Sequence, residues 1–196
     1  MVKTSRHFTH YARIAASGLA GVLALSLLVP PAAGAAEDQP NSIVETYGDW
    51  TVSCRQSKPE NGDTQTICQT SQELRDQKTG KLVFALALPA KKTPSGANAV
   101  VVAPFGLRLS SGVALKVDST TSAEASVHAM FSTCLPNGCL ANLMLDDKML
   151  DAMRQGDKVN VSMASSGTGN PFELNLSLKG FTAAQQRLMD LAAEID

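Results

Sequence analysis

The chain has 196 residues, 44% of them hydrophobic, with 18 acidic and 17 basic side chains. Only Lys3, Arg6 and Arg13 precede residue 35, so the rest carries 14 bases against 18 acids, a net charge of −4. That balance argues against nucleic acid or anionic lipid as a main partner.

The N-terminus reads as a secretory leader. Its three positive charges are followed by an uncharged apolar run over 14–29, then Pro30-Pro31 and the small residues Ala33-Gly34-Ala35. Cleavage is expected after Ala35 or Ala36. The rival reading, a membrane anchor, is disfavoured because the run falls short of the roughly 20 residues a spanning helix needs. Residues 1–35 are therefore assigned to the leader, 36–45 to a flexible lead-in, and 46–196 to a single domain with no stable membrane span.

Within the domain, apolar and polar residues alternate over 47–54, with Trp50, Val52 and Cys54 on one face. This predicts a strand with a buried aromatic anchor. A loop with Asn61-Gly62 follows, then a strand over 66–71 that carries Cys68. An apolar strand over 81–88 ends at Pro89. Residues 99–103 contain Val100-Val101-Val102, which reads as a strand buried on both sides or close to it. Short strands are expected at 107–109 and 113–117. Another spans 125–131, with Val127, Ala129 and Phe131 pointing one way. Asp146 is the expected N-cap of a short helix that Gly156 stops. Strands over 159–163 and 172–178 follow. Finally Ala184, Leu188, Leu191 and Ile195 recur at helical spacing, so an amphipathic helix covers 182–194, opened by a Thr182/Gln185 capping box. About eight or nine short strands with turns between them, one short helix and a C-terminal helix define an all-β fold, best read as a sandwich.

The four cysteines are Cys54, Cys68, Cys134 and Cys139. An even number in an exported chain implies disulfides. Of the three possible pairings, the spacings favour Cys54 with Cys68 and Cys134 with Cys139, each bracketing a turn. Zinc is the rival, but neither spacing is Cys-x-x-Cys and no histidine lies nearby. The Cys134–Cys139 connection has two readings. A type I turn with Gly138 in a bulge sets the cysteines diagonally; a four-residue loop sets them opposite.

A catalytic set is hard to assemble. His7 and His10 leave with the leader, so His128 is the single histidine left, and a partly exposed strand position is its ordinary explanation. Asp146, Asp147 and Asp151 cluster at the short helix and suit capping and the helix dipole. Asp49 stands beside Trp50. A carboxylate pair on separate strands remains an alternative, since a glycosidase-type site is invisible in one sequence. No phosphate loop, EF-hand, metal or cofactor motif is present.

Several motifs occur together in order: Gly48-Asp49-Trp50 through Val52 to Cys54, Cys68, Pro104-Phe105-Gly106, Ser111-Gly112-Val113, Phe131-x-x-Cys134, Gly138-Cys139-x-Ala141, and Leu178-Lys179-Gly180-Phe181. This series resembles the invasion-associated locus B (IalB) family of exported bacterial proteins, from about Tyr47 to the end. The resemblance implies an immunoglobulin-like β-sandwich in the bacterial envelope, structural disulfides at all four cysteines, and a role in host-cell entry. It carries over no reaction or catalytic residue. The expected protein is thus non-enzymatic, without cofactor, and acts on a protein partner in the envelope or on a host cell. Its expected location is the periplasm, the outer membrane or the medium. The alternatives are a periplasmic accessory protein and a carboxylate-dependent hydrolase.

Overall fold

The computed structural model describes residues 42–60, 62–90, 95–118 and 125–195. The leader and residues 36–41 of the lead-in lie outside the described residues. The strands are β1 (Ser42–Tyr47), β2 (Trp50–Ser57), β3 (Gln65–Arg75), β4 (Leu82–Pro89), β5 (Ala97–Ala103), β6 (Val113–Asp118), β7 (Ser126–Ala129), β8 (Phe131–Leu135), β9 (Gly138–Leu145), β10 (Lys158–Ala164) and β11 (Pro171–Ser177). The helices are α1 (Asp147–Gln155) and α2 (Phe181–Ile195). All strand pairs are antiparallel. A seven-stranded sheet runs β1-β2-β3-β4-β5-β9-β8, and a four-stranded sheet runs β11-β10-β6-β7.

The core lies between the sheets and under α2. Trp50, Val52, Phe84, Leu86, Val101, Ala141 and Leu143 come from the large sheet, and Val113, Leu115, Val159, Val161 and Leu176 from the small one. Each set falls on alternate residues, because successive side chains of a strand point to opposite faces. Ala184, Leu188 and Leu191 of α2 complete the cluster. The fold class is the expected one: a two-layered antiparallel sandwich with a short and a C-terminal helix.

Eleven strands are present among the described residues. One addition is β1. Ser42–Glu45 fall in the expected lead-in, but these residues pair with Val52–Arg55 of β2. Ile43, Val44 and Thr46 are β-branched and suit a strand, yet an edge strand lacks the clean alternation that a buried face imposes. The expected strand over 125–131 is a second correction. It divides at Met130, with β7 pairing to β6 in the small sheet and β8 to β9 in the large one. Phe131 lies opposite Ala141, on the inner face of the large sheet. The alternation therefore runs unbroken through a crossover between layers. The expected strand at 107–109 is replaced by one bridge, Leu107 with Ser165, and a single 3-10 turn, Leu109–Ser111.

Both ends of the domain meet at one junction. The turn before β2 lies against the connection from β11 to α2, where Asp49 N–H donates to the Lys179 carbonyl at 3.0 Å. A Cβ at Gly48 would sit 2.5 Å from that carbonyl oxygen, and one at Gly180 would strike the Tyr47 carbonyl. Both glycines also have positive φ, 58° and 89°, so the close crossing and the backbone each require them. Behind the crossing, Trp50 Nε1–H donates to the Ser177 carbonyl at 2.9 Å. Its ring meets Phe181 edge-on, with centroids 4.9 Å apart.

Asp146 caps α1 as expected, its carboxylate accepting from Met149 N–H at 2.7 Å. The Thr182/Gln185 capping box does not form. α2 starts one residue earlier, at Phe181, which places Thr182 inside the first turn. Instead the Thr182 hydroxyl donates to the Arg154 carbonyl at 3.4 Å, and Gln185 accepts from Arg154 Nε at 2.9 Å. The two residues tie α2 to α1.

Candidate contact surface

The disulfides pin two strand pairings of the large sheet, β2 with β3 and β8 with β9. Cys54 is bonded to Cys68 with Cα atoms 4.0 Å apart, and Cys134 to Cys139 with Cα atoms 3.9 Å apart. These separations mark the narrow, non-hydrogen-bonded type of antiparallel pair, for which about 4.5 Å is usual. Cys134 stands directly opposite Cys139, and Leu135 opposite Gly138, leaving Pro136-Asn137 as a two-residue turn. The diagonal arrangement is therefore absent, and the loop is shorter than the four-residue alternative. Gly138 has φ 145°, and a Cβ there would lie 2.5 Å from the Ala103 carbonyl of the neighbouring strand. The β8–β9 register shifts between Phe131 and Thr133, so the bond pins the pairing beyond that irregularity.

The outer face of the same sheet has two characters. One row reads Glu73, Ala85, Val102, Leu140, Thr133 across five strands. The next reads Thr51, Ser71, Ala87, Val100, Asn142. Over β2 and β3 the outward residues are mostly polar. Over β4, β5 and β9 they carry no charge: Ala85, Ala87, Val100, Val102, Leu140 and Met144 are apolar, and Asn98 and Asn142 are polar amides among them. Val100, Val102 and Leu140 are partly buried, while Leu135 and Met144 at the margin are 46% and 49% exposed. The valine run thus forms a strand buried on one side only. Among the described residues, no element covers the other. Neither the alternation nor the motif series marked this surface; its sequence signal is that same valine run, with Ala85 and Ala87 in register beside it.

The residues weighed for catalysis are dispersed. His128 is exposed and its Nε2 donates to the Ser111 carbonyl at 3.0 Å. Asp49 is engaged through its backbone at the domain junction. Asp146 is the α1 cap, Asp147 lies in the first turn, and Asp151 pairs with Arg154. A cavity of about 420 Å³ between α1, α2 and the end of β4 is lined by Leu88, Leu150, Leu188, Met189 and Arg154, with Asp147 its one carboxylate. A second pocket of about 560 Å³ on the outer face of the small sheet holds Asn160, Asn175 and Glu173, again with one carboxylate. Among the described residues, no three of His, Cys, Asp and Glu gather as metal ligands. No described helix is long and apolar enough to cross a membrane.

One ion pair joins β1 to α2. Arg187 donates to both oxygens of Glu45, at 2.9 and 3.0 Å, and the Tyr47 hydroxyl donates to the same carboxylate at 2.7 Å. The Arg187 guanidinium, then the Tyr47 hydroxyl, hold the Glu45 carboxyl below the usual carboxylate range. A group with a lowered folded pKa stabilises the fold above its unfolded value and loses that contribution as the pH falls through the folded one. The pair is about one-third exposed, so the contribution is modest. Urea midpoints measured from neutral pH into the acid range should fall less steeply for Glu45→Gln than for the unaltered chain. Parallel profiles would show that the pair is irrelevant to acid stability.

Two facing antiparallel sheets, two cross-strand disulfides and a helix locked to the N-terminal turn define a disulfide-stapled β-sandwich domain, of the kind built for oxidising compartments. The chain belongs to the invasion-associated locus B family: the family described as "Invasion associated locus B (IalB) protein" matches residues 50–189. An invasion protein B homolog of Brucella abortus (strain 2308) is 39% identical over 152 residues, covering 77% of this chain and 82% of that protein. Invasion protein B of Bartonella bacilliformis is 32% identical over 154 residues, covering 77% of each. The crystal structure of invasion associated protein B from Bartonella henselae superposes with a TM-score of 0.65 at 26% identity, covering 78% of this chain and 98% of that one. The motif residues Trp50 and Phe181, named in sequence as parts of separate motifs, are in contact in the fold.

Proposed function

We propose that this chain is an exported, non-enzymatic envelope protein that acts by protein–protein contact in host-cell invasion, through the outer face of β4, β5 and β9. The observation that carries the reading is the uncharged surface formed by Ala87, Val100, Val102 and Leu140, with exposed Leu135 and Met144 at its margin. Contiguous apolar area facing water is costly, and on a soluble domain it marks an interaction site. The leader and the disulfides support export, and the names of the Brucella and Bartonella relatives support the invasion role.

The test separates contact from folding. Val100→Lys and Leu140→Lys place a charge on the face, while the long lysine stem still covers apolar surface. Each should cost the fold no more than about 1 kcal/mol, the span of strand propensities. In a strain lacking the chromosomal gene, either variant should lower host-cell entry at least about tenfold, the effect of roughly 1.4 kcal/mol on binding. Ser53→Lys, on the polar half of the same face, should restore entry fully. Full entry with Val100→Lys and Leu140→Lys together would remove the face from the function.

A further inference from the structure

We infer that two copies of this chain associate by antiparallel pairing of their β1 strands, which joins their large sheets into one. The inference rests on the edge of that sheet and is independent of the contact face proposed above.

β1 is the terminal strand of the sheet, and among the described residues nothing pairs with its outer side. The direction of its backbone groups follows from the neighbouring disulfide. Cys54 and Cys68 form a narrow pair, so the Cys54 N–H and C=O point the other way, toward β1. Its partner Ile43, and with it Glu45 and Tyr47, bond β2. Ser42, Val44 and Thr46 then direct their N–H and C=O groups away from the sheet.

The other edges are blunted in ways that oppose such pairing. β7 has four residues. β8 has five and a register shift. β11 opens on Pro171 and carries Glu173. β1 has six residues with no proline, lysine or register shift. Its one charge, Glu45, is held by Arg187. Val44 is 69% exposed and Ile43 is 41% exposed.

The strand is complementary to itself. A two-fold axis at Val44 sets Val44 opposite Val44 of the second copy, Ser42 opposite Thr46, and Ile43 opposite Glu45. Both hydroxyl pairs and the valine pair are favourable cross-strand neighbours, and no like charges face each other. The outward-directed residues Ser42, Val44 and Thr46 are those that meet, so each pair can exchange two hydrogen bonds. Moving the axis one residue later sets Glu45 against Glu45. Moving it one residue earlier sets Ile43 against Ile43 and pairs only Ser42 with Val44 among the outward-directed residues of β1, leaving Thr46 beyond the end of the partner strand. Chemistry thus selects both a second copy as the occupant and the register.

The test uses the full chain, produced with its own N-terminus and purified as the cell releases it. Sedimentation equilibrium should show a monomer–dimer equilibrium. Val44→Lys should weaken dimerisation at least about tenfold, corresponding to roughly 1.4 kcal/mol, with the thermal midpoint of the monomer unchanged. Under mild oxidation Val44→Cys should form a covalent dimer, because a wide pair sets the two Cα atoms about 5.5 Å apart, within disulfide reach. Ile43→Cys, which faces Glu45 rather than itself, should remain uncrosslinked. A chain that stays monomeric at every concentration, a Val44→Lys variant that dimerises as well as the unaltered chain, or equal cross-linking from both cysteine positions would overturn the inference. So would a monomer that binds only an unrelated extended peptide at this edge.

Discussion

Trp50→Ala should lower the stability of the domain by about 3–5 kcal/mol, the cost of removing a fully buried large aromatic side chain. Three losses combine in it. The indole is 0% exposed and fills the space between β2, the end of β11 and α2, so its removal leaves a cavity in the core. The Ser177 carbonyl loses its donor. The edge-on contact with Phe181 disappears, and with it one anchor of α2. Trp50→Phe separates these effects: the ring bulk mostly remains, and the lost hydrogen bond should cost about 1–3 kcal/mol through the unsatisfied carbonyl. Circular dichroism during urea unfolding is the suitable probe, since Trp50 is the one tryptophan and both variants lose its fluorescence. A Trp50→Ala variant within about 1 kcal/mol of the unaltered protein would mean that the junction tolerates a cavity, against the packing described above.

The second large effect is expected from the disulfides, and the two bonds should differ. Cys54–Cys68 has a sequence separation of 14 and Cys134–Cys139 one of 5. Chain-entropy reasoning assigns about 3 kcal/mol to the first and about 2 kcal/mol to the second, since the larger loop restricts the unfolded chain more. The double substitution Cys54→Ala with Cys68→Ala should therefore lower the urea midpoint more than Cys134→Ala with Cys139→Ala. The reverse order would place the larger contribution in the β8–β9 hairpin. Thiol titration of the denatured, unreduced protein should find no free thiol, and peptide mapping should join residue 54 to 68 and 134 to 139. Peptides cross-linked between the two pairs would contradict the connectivity.

Much of the sandwich was legible because burial on one side of a strand imposes a period of two. Trp50, Val52 and Cys54, and later Leu174, Leu176 and Leu178, carry that signature plainly. The Asp146 cap was legible because its chemistry is local, needing one carboxylate and the N–H three residues on. Features that depend on distant partners were not. The crossover at Met130 leaves the alternation intact, since Val127, Ala129 and Phe131 face the core from two different sheets. β1 is set by pairing to β2 rather than by burial of its own side chains, so its pattern is weak. Thr182 and Gln185 have the spacing of a capping box, but the Gly48–Gly180 crossing starts the helix at Phe181 and turns both side chains to Arg154.

The contact surface was the least legible feature for the same reason. A run of valines states that both sides of a strand are apolar; it does not state what covers each side. Ala85 and Ala87 are unremarkable in sequence and join Val100, Val102 and Leu140 only through the pairing of β4, β5 and β9. The cysteines, by contrast, were legible as a staple but not in their geometry, which depends on Leu135 and Gly138 also pairing around Pro136-Asn137.

Site-specific photo-crosslinking in intact producing cells, in contact with host cells, tests the contact proposal most directly. A photoreactive amino acid is placed in turn at Val100 and at Ser53, on the two halves of one sheet face. Position 100 should give a discrete protein adduct that Leu140→Lys abolishes, and position 53 should give none. The same adducts from both positions, or no adduct from position 100, would contradict the contact proposal.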